Sequence, residues 1–122
     1  MNTVNSVEDM EVFKKAHKVV LEVYEITNTF PDVEKFAMVS QMRRAAYSIP
    51  SNLMEGGCRL NKKEYRQFAG IAKGSTGELK YFLLLSKDLG YISEEKYLTL
   101  RKSAEEVSKM LNGLIRALTD NH

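Results

Sequence analysis

At 122 residues the chain is long enough to bury one sizeable core, and 18 Lys+Arg against 16 Asp+Glu leave a net charge of +2, too small by itself to announce a nucleic-acid or membrane partner. Only 2 prolines and 7 glycines, abundant Leu, Ala, Glu, Lys and Met, and no tryptophan exclude a typical sheet protein and favour a single all-α domain over residues 1–122. The lone Cys58 excludes an internal disulfide, no basic-then-apolar leader opens the chain, and no apolar run nears the ~20 residues that cross a bilayer, so a soluble, cytoplasmic protein without a membrane segment is expected.

The first helix is expected to start near residues 7–10, where Ser6, Glu8 and Asp9 suit the free amides and positive end of a helix dipole. Met10, Phe13, Ala16, Val20, Val23 and Tyr24 give it an inward face. Phe30-Pro31-Asp32 breaks that periodicity, and a second helix is expected to begin there, because proline disfavours helical geometry in the residue before it but suits a first turn.

Along the second helix an apolar series, Val39, Met42, Ala46, Ile49 and Leu53, runs beside a polar one, Gln41, Arg44, Ser48, Asn52 and Glu55. Pro50 deletes one backbone hydrogen bond. Both series keep step across it, so the helix is expected to kink near Pro50 rather than divide, and to stop at Gly56-Gly57.

Asn61 with Glu64 is a capping pair for a third helix, whose line Tyr65, Phe68, Ala72, Ser75, Leu79, Phe82, Ser86 and Leu89 alternates steps of three and four. Gly70, Gly74 and Gly77 form a strip without side chains, each costing roughly 1 kcal/mol relative to alanine, which predicts a neighbouring backbone close against it. Leu89-Gly90-Tyr91 closes this helix and Ser93-Glu94-Glu95 opens the fourth, with Tyr97, Leu100, Ala104, Val107, Leu111, Leu114 and Leu118 as its core line. Four amphipathic helices with short connections predict an antiparallel up-down-up-down four-helix bundle.

The polar series predicts a buried network of Arg44, Ser48, Asn52 and Glu55 with Ser75 and Glu78 of the third helix, since an unpaired buried charge is very costly. A small-molecule pocket at Arg44, Asn52 and Glu78, or an acid/base pair of Glu55 and Glu78, is a competing reading of the same residues. No Glu-x-x-His pair exists for a carboxylate-bridged metal centre, and His17 and His122 have no ligand spacing. Cys58 lacks an adjacent base, and Lys73-Gly74-Ser75-Thr76-Gly77 falls in a helical register instead of the strand-turn-helix of a nucleophile elbow. No enzyme, metal or cofactor is therefore expected.

Arg59, Lys62, Lys63, Arg66 and Lys73 against the single acid Glu64 make the most basic window. It is a candidate nucleic-acid patch, with Tyr65 and Phe68 interleaved, although those aromatics also belong to the core line.

Three motifs carry a family resemblance over nearly the whole chain. They are Phe30-Pro31 with Glu34 and Phe36; Gln41-x-Arg43-Arg44-Ala45-Ala46-x-Ser48-Ile49-Pro50-Ser51-Asn52-x-x-Glu55-Gly56; and Gly74-Ser75-x-x-Glu78-Leu79. The chain resembles the bacterial four-helix-bundle proteins that include those encoded in intervening sequences of large-subunit rRNA genes. The resemblance implies a homopentamer without enzymatic activity. It is also similar to the accessory protein of diversity-generating retroelements, which implies RNA or DNA and a reverse transcriptase as partners. The expectation is a non-enzymatic homo-oligomer serving as a nucleic-acid or ribonucleoprotein accessory, with a protein-interaction scaffold or a small-molecule-binding bundle as alternatives.

Overall fold

The computed structural model describes residues 6–119, and His122 lies outside them. They form four α-helices and no strand: α1 (Glu11–Thr27), α2 (Met38–Gly57), α3 (Lys62–Asp88) and α4 (Glu94–Thr119). Each helix packs on the next and α4 returns to α1, so one core lies between all four. No helix among the described residues is long and apolar enough to cross a membrane.

The helix ends follow the local chemistry. Ser6 accepts from the Glu8 amide at 3.2 Å and caps a 3-10 turn, Val7–Asp9, ahead of α1. Asn61 Oδ1 accepts from the Glu64 amide at 2.9 Å and Ser93 Oγ from the Lys96 amide at 3.0 Å, satisfying donors that no helical carbonyl can reach. At the end of α3 the Tyr91 amide bonds Ser86 O at 2.8 Å and the Gly90 amide Lys87 O at 2.9 Å, with Gly90 at φ 81, a closure that places a glycine in left-handed geometry.

The second helix starts later than the sequence predicts. Pro31 caps a separate 3-10 turn, Asp32–Glu34, and α2 begins only at Met38, then runs through Pro50 to Gly57. Its apolar series is wholly inside: Val39, Met42, Ala46, Ile49 and Leu53 are all buried. The core line of α4 is buried from Tyr97 to Leu111.

Two other expected faces are rotated. On α1 the buried positions are Val12, Ala16, Val19, Val20, Val23, Ile26 and Thr27, while Tyr24 is exposed. On α3 they are Ala69, Ala72, Thr76, Leu79, Leu83 and Ser86, while Tyr65, Phe68, Ser75 and Phe82 are half-buried and Leu89 is exposed. Thr76 and Ser86 enter the core because each hydroxyl donates to the carbonyl four residues back, Ala72 O at 2.9 Å and Phe82 O at 2.7 Å.

The glycines reverse the expectation as well. A Cβ added at Gly70, Gly74 or Gly77 would meet nothing within 4 Å, so no backbone among the described residues lies against the strip. The close approaches are at Gly56, where a Cβ would lie 2.7 Å from Tyr65 Cδ1 and 2.9 Å from Phe68 Cβ, and at Gly57, where it would run into Val7 Cγ2. Opposite signs follow. Gly56→Ala is expected to destabilise by about 1–3 kcal/mol, since the main-chain end of Phe68 cannot swing away. Gly70→Ala, Gly74→Ala and Gly77→Ala should each stabilise by roughly 0.5–1 kcal/mol, read as shifts in the denaturant midpoint.

Candidate functional site

The polar series on α2 does meet α3, but at the surface. Ser48 Oγ and Ser75 Oγ are 2.8 Å apart, and the Asn52 side-chain amide donates to Ser48 Oγ at 2.9 Å and to Ser48 O at 2.8 Å. One turn away, Arg44 Nη2 lies 3.4 Å from Glu78 Oε2 and 3.3 Å from Gln41 Oε1, with the Arg44 and Glu78 side chains 52% and 39% exposed. The predicted buried charged network is therefore corrected to a solvated one, whose central ion pair is worth at most about 1 kcal/mol. Glu55 is not part of it. Its carboxylate turns along its own helix and accepts from Arg59 Nη2 at 2.6 Å, because a partner four residues ahead is nearer than anything on α3.

Neither competing reading gains from this arrangement. Glu55 and Glu78 each have a separate arginine, and the Asn52 amide is spent on Ser48, so nothing there resembles paired carboxylates sharing a proton. Among the described residues no group of His, Cys, Asp and Glu is disposed to hold a metal ion. Cys58 is exposed at the end of α2, and the exposed His17 stacks on Phe13 with ring centroids 6.3 Å apart.

The neighbouring arginine has the stronger role, which the sequence did not single out. Arg43 Nε donates to Thr27 Oγ1 at 2.8 Å, its Nη2 to Asn28 Oδ1 at 3.1 Å and to Tyr24 O at 3.4 Å, and its guanidinium lies 4.4 Å over the Tyr24 ring. Thr27 Oγ1 in turn donates to Val23 O at 2.7 Å. Arg43 thus latches the end of α1 onto α2 with a planar fork that an ammonium cannot copy. Arg43→Lys is expected to cost about 1–2 kcal/mol and Arg44→Lys less than about 0.5, measured by thermal melts of the two variants side by side.

The basic window divides in two. Arg59 is held by Glu55, with its guanidinium 4.8 Å over the Phe68 ring. Lys62, Lys63 and Lys73 are exposed and Arg66 half-buried, and none of these four makes an ion pair among the described residues. Lys62, Arg66 and Lys73 are spaced by four and seven residues and so share one side of α3. Lys62 and Lys63 stand in the first turn of α3, where the helix dipole is itself positive and adds to their field. Tyr65 and Phe68 offer no platform to bases. They close over Gly56, the Tyr65 hydroxyl reaches Met10 Sδ at 3.5 Å, and burial pushes the Tyr65 phenol above its ordinary pKa.

Some charge elsewhere is paired between and along helices. Lys15 and Glu106 join α1 to α4 at 2.8 Å, and their hydrogen bond raises the Lys15 pKa and lowers that of Glu106. Arg101 likewise holds the Glu105 carboxyl below the usual range, assisted by Lys80. Lys18, Lys35, Lys96, Lys102, Lys109 and Arg116 also make no ion pair among the described residues, so the α3 cations are set apart by their density between positions 62 and 73 and not by being unpaired.

The profile of the family described as 23S rRNA-intervening sequence protein matches residues 8–113. A solved structure from Bacteroides thetaiotaomicron VPI-5482, described as a protein with unknown function from the S23 ribosomal protein family, superposes with a TM-score of 0.80 at 24% identity, covering 86% of this chain and 98% of its own. At that identity the likeness speaks for the fold. No curated protein gives a significant match.

Proposed function

Because the chain belongs to the 23S rRNA-intervening sequence protein family, we propose that it is a non-enzymatic accessory to nucleic acid or to a ribonucleoprotein, acting in the cytoplasm as a homo-oligomer. The protomer in this reading is an antiparallel up-down-up-down bundle bent near Pro50, and the oligomer is the pentamer that the family resemblance implies. Its partners are RNA or DNA and a nucleic-acid enzyme such as a reverse transcriptase. Neither cofactor nor metal takes part.

One observation carries the reading: Lys62, Lys63, Arg66 and Lys73 lie within twelve positions of α3, with Glu64 the one acid among them, and none of the four makes an ion pair among the described residues. A cation that has no carboxylate to leave is free to displace counterions from a phosphate chain. Four such groups make a weak patch in one protomer. Displayed around a ring it gains by repetition, since the second contact is intramolecular once the first has formed.

Fluorescence anisotropy of labelled duplex RNA, duplex DNA and single strands over a salt series tests the proposal. For duplexes, log K is expected to fall with log salt by roughly 0.9 for each phosphate contacted, about 3–4 per engaged protomer. Binding that ignores salt, or no binding at low salt, rejects it. A protein-interaction scaffold is the second reading, favoured by Val33, Phe36 and Leu60, large apolar side chains left in water. A pull-down partner retained after nuclease treatment is the outcome that would replace the first reading by this one.

A further inference from the structure

Two contacts fix how α3 and α4 lie beside each other. Lys80 Nζ is 3.4 Å from Glu105 Oε1, and seven residues further along α3 the Lys87 ammonium lies 4.9 Å over the ring of Tyr97, eight residues earlier on α4. The two helices therefore run in opposite sense, and the first turns of α3 share an end of the molecule with the last turns of α4. Counted from the Lys80–Glu105 pair, Lys73, one heptad back on α3, falls level with Asn112, one heptad on along α4, between Lys109 and Arg116.

The same pair says which sides face each other. Positions 62, 73 and 80 lie within about 20° of one another around α3 and Arg66 within about 40°, since seven and eleven residues come close to whole turns. Glu105, Lys109 and Arg116, spaced by four and seven, likewise share one side of α4. The rim of α3 that carries Lys62, Arg66 and Lys73 thus borders the rim of α4 that carries Lys109 and Arg116. All but the half-buried Arg66 are exposed, and none of the five makes an ion pair among the described residues. The acids nearby are spent or turned away. Glu105 is held by Arg101 and Lys80, Glu106 by Lys15, and Glu64 lies about 160° around α3 from Lys62.

Two rows of cations, on helices whose axes pack about 8–10 Å apart, suit a ligand with two rows of phosphates. A duplex carries them at fixed spacing and loses little freedom on binding. A single strand must be straightened first, and single-strand sites offset that cost by stacking bases on rings, worth about 1–3 kcal/mol per base. Among the described residues no ring stands between these rows. Tyr65 and Phe68 close over Gly56, Tyr97 is buried, and the exposed Tyr81 lies eight residues, about 12 Å, past Lys73, next to the Lys80–Glu105 pair.

We propose that the phosphate-binding surface spans α3 and α4, with Lys109 and Arg116 as its second row, and that its ligand is a double-stranded nucleic acid held by both backbones. This deepens the nucleic-acid reading above and rests on it. Phosphate contacts carry no base information, so binding should be indifferent to sequence.

The test is a salt titration of the full chain with labelled duplex RNA, duplex DNA and the separated strands of one sequence. It compares wild type, Lys109→Gln/Arg116→Gln and Lys18→Gln, the last an exposed cation on α1 outside this surface. All three substituted side chains are exposed and unpaired among the described residues, so the variants should keep the wild-type circular dichroism. The wild-type duplex slope should exceed what α3 alone would give and reach about five per engaged protomer. In Lys109→Gln/Arg116→Gln it should fall by about two, and by about one in each single substitution, with duplex affinity of the double variant down on the order of 50-fold at 0.1 M salt. Lys18→Gln should match the wild type. Duplexes should bind about tenfold or more tightly than either strand.

A folded double variant that keeps the wild-type slope overturns the second row and leaves a surface on α3 alone. A matching loss in Lys18→Gln overturns it too, since net charge and not the α3/α4 face would then set the slope. Strands that bind as tightly as duplexes overturn the choice of ligand. If no probe binds the wild type at low salt, the nucleic-acid reading falls together with this one.

Discussion

Leu79→Ala is expected to cost about 3–5 kcal/mol, whereas Glu78→Ala, one residue earlier on α3, should change stability by less than about 1 kcal/mol. Leu79 has no exposed surface and sits in the shared core, so truncation leaves a cavity whose walls belong to other helices and cannot all collapse. Among the described residues Glu78 is bonded only to Arg44, and both side chains reach solvent. Domains of this size are stable by only some 5–15 kcal/mol, so the leucine variant should melt roughly 12–20 °C lower and the glutamate variant within a few degrees of the parent. Calorimetry of the pair decides whether the polar series on α2 is structural. A Glu78→Ala variant as damaged as Leu79→Ala would show that the ion pair is buried in the working assembly.

The second large effect concerns binding. Reversing Lys62, Lys63 and Arg66 together to glutamate should abolish nucleic-acid binding, whereas neutralising any one of them should leave weaker binding with a salt slope lower by about one per protomer. Stability should not fall. None of the three makes an ion pair among the described residues, and positions 62 and 63 lie in the first turn of α3, where acidic side chains favour the helix by roughly 0.3–1 kcal/mol each. Circular dichroism and anisotropy on one preparation would separate lost binding from lost fold. Retained affinity in a folded variant would place the contact elsewhere or remove it.

The helix count, three end signals and two of the four core faces could be read from residues alone. Val39 to Leu53 on α2 and Tyr97 to Leu111 on α4 are dense enough in large apolar groups that one orientation wins. On α3 two adjacent stripes compete. Ser75 and Phe82 lie on one and Thr76 and Leu83 on the other, and burial of the second is tolerated because the Thr76 hydroxyl is satisfied by Ala72 O of its own helix, which periodicity does not record. A strict alternation of threes and fours also drifts about 20° per heptad on a straight helix, which carries Leu89, at the far end of the expected line, into solvent.

The polar site was legible as a set of residues but not as an environment. Helical spacing places Arg44, Ser48, Asn52 and Glu55 on one line of α2 without saying how deep that line lies. Depth depends on the small residues below it, here Ala45 and Ala46, which take the core positions and leave the longer side chains at the rim. Arg43 and Arg44 are two arginines in succession, which residue type alone does not tell apart. One step of about 100° around the helix turns Arg43 toward α1 instead of α3, and that is where its hydrogen bonds lie.

The bare strip on α3 bears on the order of events as the chain folds. With Gly70, Gly74 and Gly77 in its middle and no contact among the described residues to offset them, a peptide spanning 62–88 should be mostly random coil in water. The helix must therefore be templated by its neighbours, forming late, after α2 and α4 can offer it their oily sides. Its central amides should then exchange with heavy water only when the whole bundle opens, despite facing the solvent.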